Sequence, residues 1–134
     1  MRPEDTEALI SYRMHRAEES LKAAKIMYKK NMLSFGMNRI YYSMFYAVQA
    51  ALILKDVSFS KHGQVKAYLN RELVKTGIIP VSLGRIYNKA FEYRQKFDYV
   101  DFAEPDKDLV ESYLKEARVF LDGIEQYVQK NIKK

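Results

Sequence analysis

One stretch of the chain, from Ile40 to Leu54, is apolar on almost every side of a helix. Only Ser43 and Gln49 are clearly polar among these fifteen residues. A helix that is apolar all round needs neighbours on several sides, whereas a helix that spans a bilayer needs about twenty apolar residues. The stretch therefore predicts the buried central helix of a helical protein, with no membrane span.

Apolar residues recur at helical spacing in four further segments, and no strand pattern competes with them. The predicted helices run from Glu4 to about Asn31, from Met37 to Lys55, from a Ser60 cap through Leu73 to a stop at Thr76-Gly77, from Val81 to Lys96, and from Pro105 or Asp106 to Lys130. A short link at Ser34-Phe35-Gly36 and an acidic link from Asp98 to Asp106 join them. These lengths predict an all-α, antiparallel up-down bundle of about five helices, with residues 1–134 as a single domain.

The composition fits one soluble domain. A chain of 134 residues with 48% hydrophobic and 30% charged residues can bury a core without disulfide bonds or a structural metal ion. It has no cysteine, which excludes disulfides, thiolate zinc sites and a cysteine nucleophile. A signal peptide needs an apolar stretch near its start, whereas the acidic residues Glu4, Asp5 and Glu7 follow soon after Met1. Cytoplasmic localisation is the expectation.

The net charge of +6 is concentrated in the middle of the chain. Residues 55–96 contain nine basic and three acidic residues, whereas residues 97–134 contain six basic and nine acidic residues. A basic face of this kind attracts phosphates, although solvated lysines give the same count without any ligand.

The central helix begins with an arginine that is followed by tyrosines, which we expect at its wetter end. Arg39 shares a helix face with Tyr42 and Tyr46. An arginine in an apolar run needs an acid, a carbonyl or an anionic ligand. Guanidinium binds phosphate in a bidentate way, and tyrosine rings stack on bases. We take these three residues as candidate phosphate-binding residues; in the alternative, Arg39 pairs with an acid of a neighbouring helix.

A second segment, from Phe91 to Tyr99, repeats this chemistry and adds an acid. Arg94 lies four residues before Asp98, and Tyr99 follows. One interpretation makes Arg94 and Tyr99 ligand-binding residues, and the other makes Arg94 and Asp98 a clamp at a helix end. The first interpretation requires Arg39 and Arg94 to converge on one pocket.

Lys61 and His62 open the third predicted helix, where free amide groups favour anions. Both are candidate ligand-binding residues, although His62 can equally be a surface or capping histidine. The two histidines are far apart in the chain, and the acids after Asp98 lack the spacing and the glycine of a calcium loop. The sequence therefore predicts neither a metal site nor a cofactor.

Together these motifs resemble the HEPN domain family, particularly its small stand-alone members. The resemblance rests on Arg39 to Ala47, Lys61-His62-Gly63, Gly84-Arg85, Phe91 to Arg94 and Asp98-Tyr99, which span nearly the whole chain in the order of the family. It implies a helical bundle that forms a homodimer. It also implies a minimal nucleotidyltransferase as partner, in a toxin–antitoxin-like pair.

Some proteins of this family are metal-independent ribonucleases, with an arginine and, four to six residues later, a histidine in a cleft between two subunits. Arg94 matches the arginine, but the histidine is absent, which leaves Asp98 or His62 as candidate catalytic partners. The nearby Arg94 would make Asp98 a weaker base.

Three functions remain open at this point, and enzymatic activity is not decided. The first is a module that binds nucleotides or RNA phosphates. The alternatives are an endoribonuclease toxin and a structural partner protein without a ligand.

Overall fold

Five α-helices make up most of the part of the chain that this computed structural model describes, residues 2–132. They are α1 (Pro3–Lys29), α2 (Leu33–Leu54), α3 (His62–Tyr68), α4 (Val81–Tyr99) and α5 (Lys107–Ile132), and a π-helical segment, Leu69–Val74, follows α3. The predicted all-α bundle of about five helices is confirmed. Met1, Lys133 and Lys134 of the predicted 1–134 domain lie outside the described residues.

The four long helices run up and down, and α3 is a short connection between α2 and α4. Three pairs of helices are antiparallel: α1 with α2, α2 with α4, and α1 with α5. Along each contact, the residue numbers rise in one helix while they fall in the other. The pairs join Arg13 to Gln49, Arg16 to Tyr46, Asn38 to Asp98, Tyr41 to Tyr87, Glu18 to Arg118 and Tyr28 to Glu111.

Helix α2 lies at the centre of the bundle, as its apolar circumference predicts. Ala47, Ala50 and Ala51 are completely buried, so the small-residue patch lies inside the core. The only charged residue of this helix is Arg39, near its first turns. Within residues 2–132, every helix is too short or too polar to cross a bilayer.

The start of α2 differs from the prediction. The helix begins at Leu33 rather than Met37, so Ser34, Phe35 and Gly36 form its first turn instead of a link. Asn31 reverses the chain within fewer residues than expected because it adopts the left-handed conformation, with φ of 61°.

Helix α4 ends later than the prediction. It continues to Tyr99 rather than Lys96, so Asp98 and Tyr99 are helical instead of belonging to an acidic link. This extension places Asp98 one helical turn after Arg94, on the same face.

The third predicted helix has two parts. Lys61 rather than Ser60 precedes its first residue, and no side chain caps it. The α-helix changes to a π-helix at Leu69, where the Asn70 side chain donates to the Lys66 carbonyl at 2.8 Å. The predicted stop is correct because Gly77 has a φ of 83°, which favours glycine.

Candidate functional site

The two arginines singled out in the sequence meet on one aromatic ring. The Cζ atom of Arg39 lies 4.6 Å from the centroid of the Tyr42 ring, and the Cζ atom of Arg94 lies 5.6 Å from the same centroid. Helices α2 and α4 bring them together because they cross antiparallel at this end of the bundle. The residues around this ring, which we call the arginine cluster, are Asn38, Arg39, Tyr41, Tyr42, His62, Arg94, Asp98 and Tyr99.

Arg39 has a neutral partner and not the acid that a core brace requires. Its Nε and Nη2 atoms donate to Oδ1 of Asn38, at 3.1 Å and 2.9 Å. Throughout residues 2–132, no carboxylate forms an ion pair with Arg39. The guanidinium charge is therefore held in position by an amide but is not neutralised by the fold.

Arg94 is largely buried, and its hydrogen bonding is incomplete. Its side chain is 11% exposed, and its Nε lies 3.6 Å from Oδ2 of Asp98, beyond hydrogen-bonding distance. The Nε atom is buried without an acceptor, and the Nη2 atom donates to the Tyr99 hydroxyl at 3.4 Å. A buried donor without an acceptor is costly, so the fold satisfies the hydrogen bonding of this guanidinium only in part.

Asp98 turns towards α2 rather than closing on Arg94. Its Oδ2 atom accepts a hydrogen bond from Nδ2 of Asn38 at 2.8 Å. Asn38 thus contacts the arginine of its own helix through its oxygen and the acid of α4 through its nitrogen. The clamp interpretation describes Asp98 in part, but its firm partner is Asn38.

His62 lies between two tyrosine hydroxyls of the arginine cluster. Its Nδ1 atom is 2.8 Å from the Tyr41 hydroxyl, and its Nε2 atom is 3.3 Å from the Tyr42 hydroxyl. Its ring centroid lies 4.3 Å from that of Phe45. Burial, and to a smaller extent the positive charge of Arg94, lowers the pKa of His62 from its ordinary value of 6.5. The imidazole is therefore neutral near pH 7 and can accept a proton.

A chain of hydroxyl groups connects His62 with the core. The Tyr41 hydroxyl is 3.4 Å from the Tyr87 hydroxyl, and both residues are completely buried. Burial raises the pKa of Tyr41 to about 12, and burial also raises that of Tyr87 well above its usual range. The expectation that the tyrosines of α2 lie at its wetter end is wrong for Tyr41, because α3 and α4 cover it.

Stability at acidic pH should depend on His62. Because the pKa of His62 is lower in the folded chain than in the unfolded chain, the unfolded state binds protons more readily as the pH falls below about 6.5. We expect the free energy of unfolding to fall less between pH 7 and pH 5 in His62→Gln than in the wild type, as measured by urea denaturation. The control His15→Gln retains His62 and should show the wild-type loss. Equal losses in His62→Gln and the wild type would contradict the prediction.

The other predicted site residues lie in the arginine cluster or beside it, at different depths. Tyr99 is 70% exposed, and Lys61 is also exposed just before α3. Tyr46 is half-buried, with its ring centroid 6.2 Å from that of Tyr42. Among residues 2–132, the side chains of His, Asp and Glu form no group of three that could hold a metal ion.

Sequence reasoning missed the residues that connect the predicted ones: Asn38, Tyr41, Arg13 and Arg16. Asn38 stands directly before Arg39, but its spacing gives no sign that it reaches Asp98. The sequence signal that points to Arg13 and Arg16 is their spacing, because they lie one turn apart on the same face of α1. Only the register between α1 and α2 shows that they meet Gln49 and Tyr46.

Chemically, the arginine cluster combines two cations, several hydroxyl groups and one neutral imidazole. Its only carboxylate among the described residues, Asp98, is partly engaged by an amide. Such a set favours an anion that brings several oxygen acceptors.

The five helices and the arginine cluster define a small all-α domain with a candidate anion site at one end. The model of the HEPN domain matches residues 10–127, so the chain belongs to the HEPN family. It is 42% identical over 125 residues to a UPF0332 protein of Thermotoga maritima, covering 93% of this chain and 95% of that protein.

Two archaeal relatives have names that suggest a role. The chain is 37% identical to "Putative toxin MJ0142" of Methanocaldococcus jannaschii, covering 90% of this chain and 83% of that protein. It is 33% identical to "Putative toxin MJ0605" of the same organism, covering 92% and 88%.

Proposed function

We propose that the arginine cluster binds a phosphate group of a nucleotide or of RNA. The observation that carries this proposal is the convergence of Arg39 and Arg94 on Tyr42, with Asp98 as the single carboxylate nearby, 3.6 Å from the Nε of Arg94 and hydrogen-bonded to Asn38. Two guanidinium groups can share the oxygens of one phosphate.

The rings of the arginine cluster suit the organic part of such a ligand. Tyr99 is largely exposed at the end of α4 and is the ring that a base can reach, whereas both arginines already lie over the Tyr42 ring. Stacking of a base on an aromatic ring tolerates any base, because every base has a π-face. The cluster therefore favours recognition of phosphate and base plane over recognition of one sequence.

The proposed biological setting is a toxin–antitoxin-like pair. The names of the two Methanocaldococcus relatives support a toxin role, and we propose that this chain forms a homodimer in the cytoplasm and works with a minimal nucleotidyltransferase. In this setting the phosphate-binding cluster would be the surface that the partner controls.

The direct test is the affinity of the protein for a short RNA. We expect Arg39→Gln to weaken binding of a fluorescein-labelled hexauridylate about tenfold, because it removes a charge that holds phosphate. The amide of glutamine keeps a hydrogen-bonding group near Asn38, so the melting temperature should change little. Fluorescence anisotropy at fixed salt gives the Kd.

Arg85→Gln is the matched control, because Arg85 is an exposed arginine of α4 outside the arginine cluster. It should bind the RNA nearly as well as the wild type. Equal losses in both variants would show a diffuse charge effect, and no binding by the wild type would reject the proposed function.

A metal-independent ribonuclease is the second candidate function, and the position of His62 favours it. The family histidine is absent after Arg94, but α3 supplies a neutral imidazole to the same group of residues. His62 could accept the 2′-hydroxyl proton while Arg94 holds the phosphate. Shortened RNA products in the presence of EDTA that disappear in His62→Gln would favour this candidate.

A further inference from the structure

The aromatic surface of the arginine cluster continues along α2 to a third arginine. The Tyr46 ring follows the Tyr42 ring, with 6.2 Å between their centroids. On its far side, the Cζ atom of Arg16 lies 5.2 Å from the Tyr46 centroid, and the Nη2 atom of Arg16 donates to the Tyr46 hydroxyl at 3.3 Å. Two neighbouring rings thus connect the cation of Arg39 with the cation of Arg16.

Arg13 extends the same row by one turn of α1. Its Nη1 atom donates to Oε1 of Gln49 at 2.8 Å, while its Nε atom is buried without an acceptor. Arg94 is in the same condition, and these two are the only side chains of the described residues with such an atom. An arginine whose hydrogen bonding is incomplete therefore lies at each end of the row.

Internal acids neutralise little of this row, since among the described residues only Asp98 pairs with it, at 3.6 Å from the Nε of Arg94. In the part of the chain that the structure describes, neither Arg13 nor Arg16 forms an ion pair. Glu19, one turn after Arg16 on α1, contacts His15 instead at 3.6 Å. Helix α2 contributes no acid at all, since Arg39 is its only charged residue. The row is a positive surface lined with rings.

The length of the row decides what it can bind. Arg39 and Tyr46 are seven residues apart on one helix, which is about 10 Å along its axis. One phosphate cannot contact both ends, whereas successive phosphates of a strand can. Bases reach tyrosine rings only when they are unpaired, and a groove that combines arginines with stacking rings is the usual surface for a single strand.

We propose that Arg16 and Arg13 form a second phosphate subsite, so that the ligand is a single-stranded nucleic acid lying along α1 and α2 from Arg94 to Arg13. This rests on the proposed function, because it extends the phosphate site at Arg39 and Arg94. One phosphate binds between Arg39 and Arg94, the following nucleotides pass along the edges of the Tyr42 and Tyr46 rings, and a later phosphate binds at Arg16 and Arg13.

The test compares a strand with a mononucleotide, in the wild type and in the double variant Arg13→Gln/Arg16→Gln. Hexauridylate and oligothymidylate of six nucleotides are the strand probes, and uridine monophosphate is the short probe. We expect the double variant to lose about tenfold in affinity for the strands. Its slope of log K against log salt should fall by about 0.7 for each phosphate that the variant no longer neutralises. Binding of uridine monophosphate should be unchanged.

Two further variants make the outcome specific. Arg13→Lys/Arg16→Lys keeps both charges and should retain most of the salt slope, whereas Arg85→Gln removes an exposed charge away from the row and should bind like the wild type. A loss in both strand probes assigns the subsite to the phosphodiester chain, and a loss confined to hexauridylate assigns it to RNA.

The two proposals fail in different ways. If the double variant binds strands as the wild type does while Arg39→Gln does not, the second subsite is wrong and the phosphate site at Arg39 and Arg94 stands. If the wild type binds uridine monophosphate as tightly as hexauridylate, the strand ligand is also wrong. If the wild type binds none of the probes, both proposals are wrong. Thermal melting followed by circular dichroism confirms that each variant is folded.

Discussion

Replacing Arg94 with alanine should weaken binding of hexauridylate about a hundredfold, the largest functional loss of any single substitution in the arginine cluster. A hydrogen bond to a charged group contributes about 1.5 to 3 kcal/mol, and Arg94 is placed to use the upper part of this range. Its side chain is only 11% exposed, so water screens it little. Fluorescence anisotropy at fixed salt measures the change.

The stability of Arg94→Ala separates a binding role from a bracing role. The fold gives Arg94 one ion pair, with Asp98 at 3.6 Å, and contacts with the rings of Tyr41 and Tyr42. Because truncation removes this packing, we expect the melting temperature to fall by about 4 °C, which corresponds to about 1 kcal/mol. Gln95→Ala, an exposed neighbour, is the control for both measurements. A large fall in melting temperature with unchanged RNA binding would mean that Arg94 only braces the core.

Replacing Phe120 with alanine should lower the free energy of unfolding by about 3 to 5 kcal/mol, the largest effect that we expect on stability. Phe120 is completely buried on α5, and its ring centroid lies 5.7 Å from that of Tyr87. Truncation leaves a cavity beside the tyrosine that holds the Tyr41 hydroxyl. Urea denaturation measures the loss, and the melting temperature should fall by about 11 to 18 °C.

Val119 gives this experiment a neighbouring control. It precedes Phe120 on α5 but is 53% exposed, so Val119→Ala removes little buried surface and should change the free energy of unfolding by about 0.5 kcal/mol or less. Similar losses at the two positions would show that α5 does not pack as described.

The fold could be predicted from the sequence because helical periodicity is a local signal. The apolar circumference of α2 was enough to place it in the centre, and the amphipathic stripes of the other helices gave their existence. The predicted ends of the helices were less accurate, because each end depends on the backbone conformation of one or two residues. The left-handed conformation of Asn31 and the extension of α4 to Tyr99 carry no strong pattern in the sequence.

The residue types in the sequence were enough to predict part of the candidate site, and the structure was needed to identify the rest. Two arginines in apolar, aromatic surroundings need partners, and this need alone pointed to Arg39 and Arg94. The partners themselves depend on the register between helices, which no spacing along one helix contains. For this reason Asn38 was missed, and His62 could be named only as a candidate.

The hydroxyl chain from Tyr87 through Tyr41 to His62 ties the outer surface of this molecule to its interior. The same phenol groups fill space between helices and orient an imidazole at the rim. Under the proposed function, a substitution at Tyr41 or Tyr87 would therefore reposition the imidazole and alter ligand binding without any change to an exposed residue.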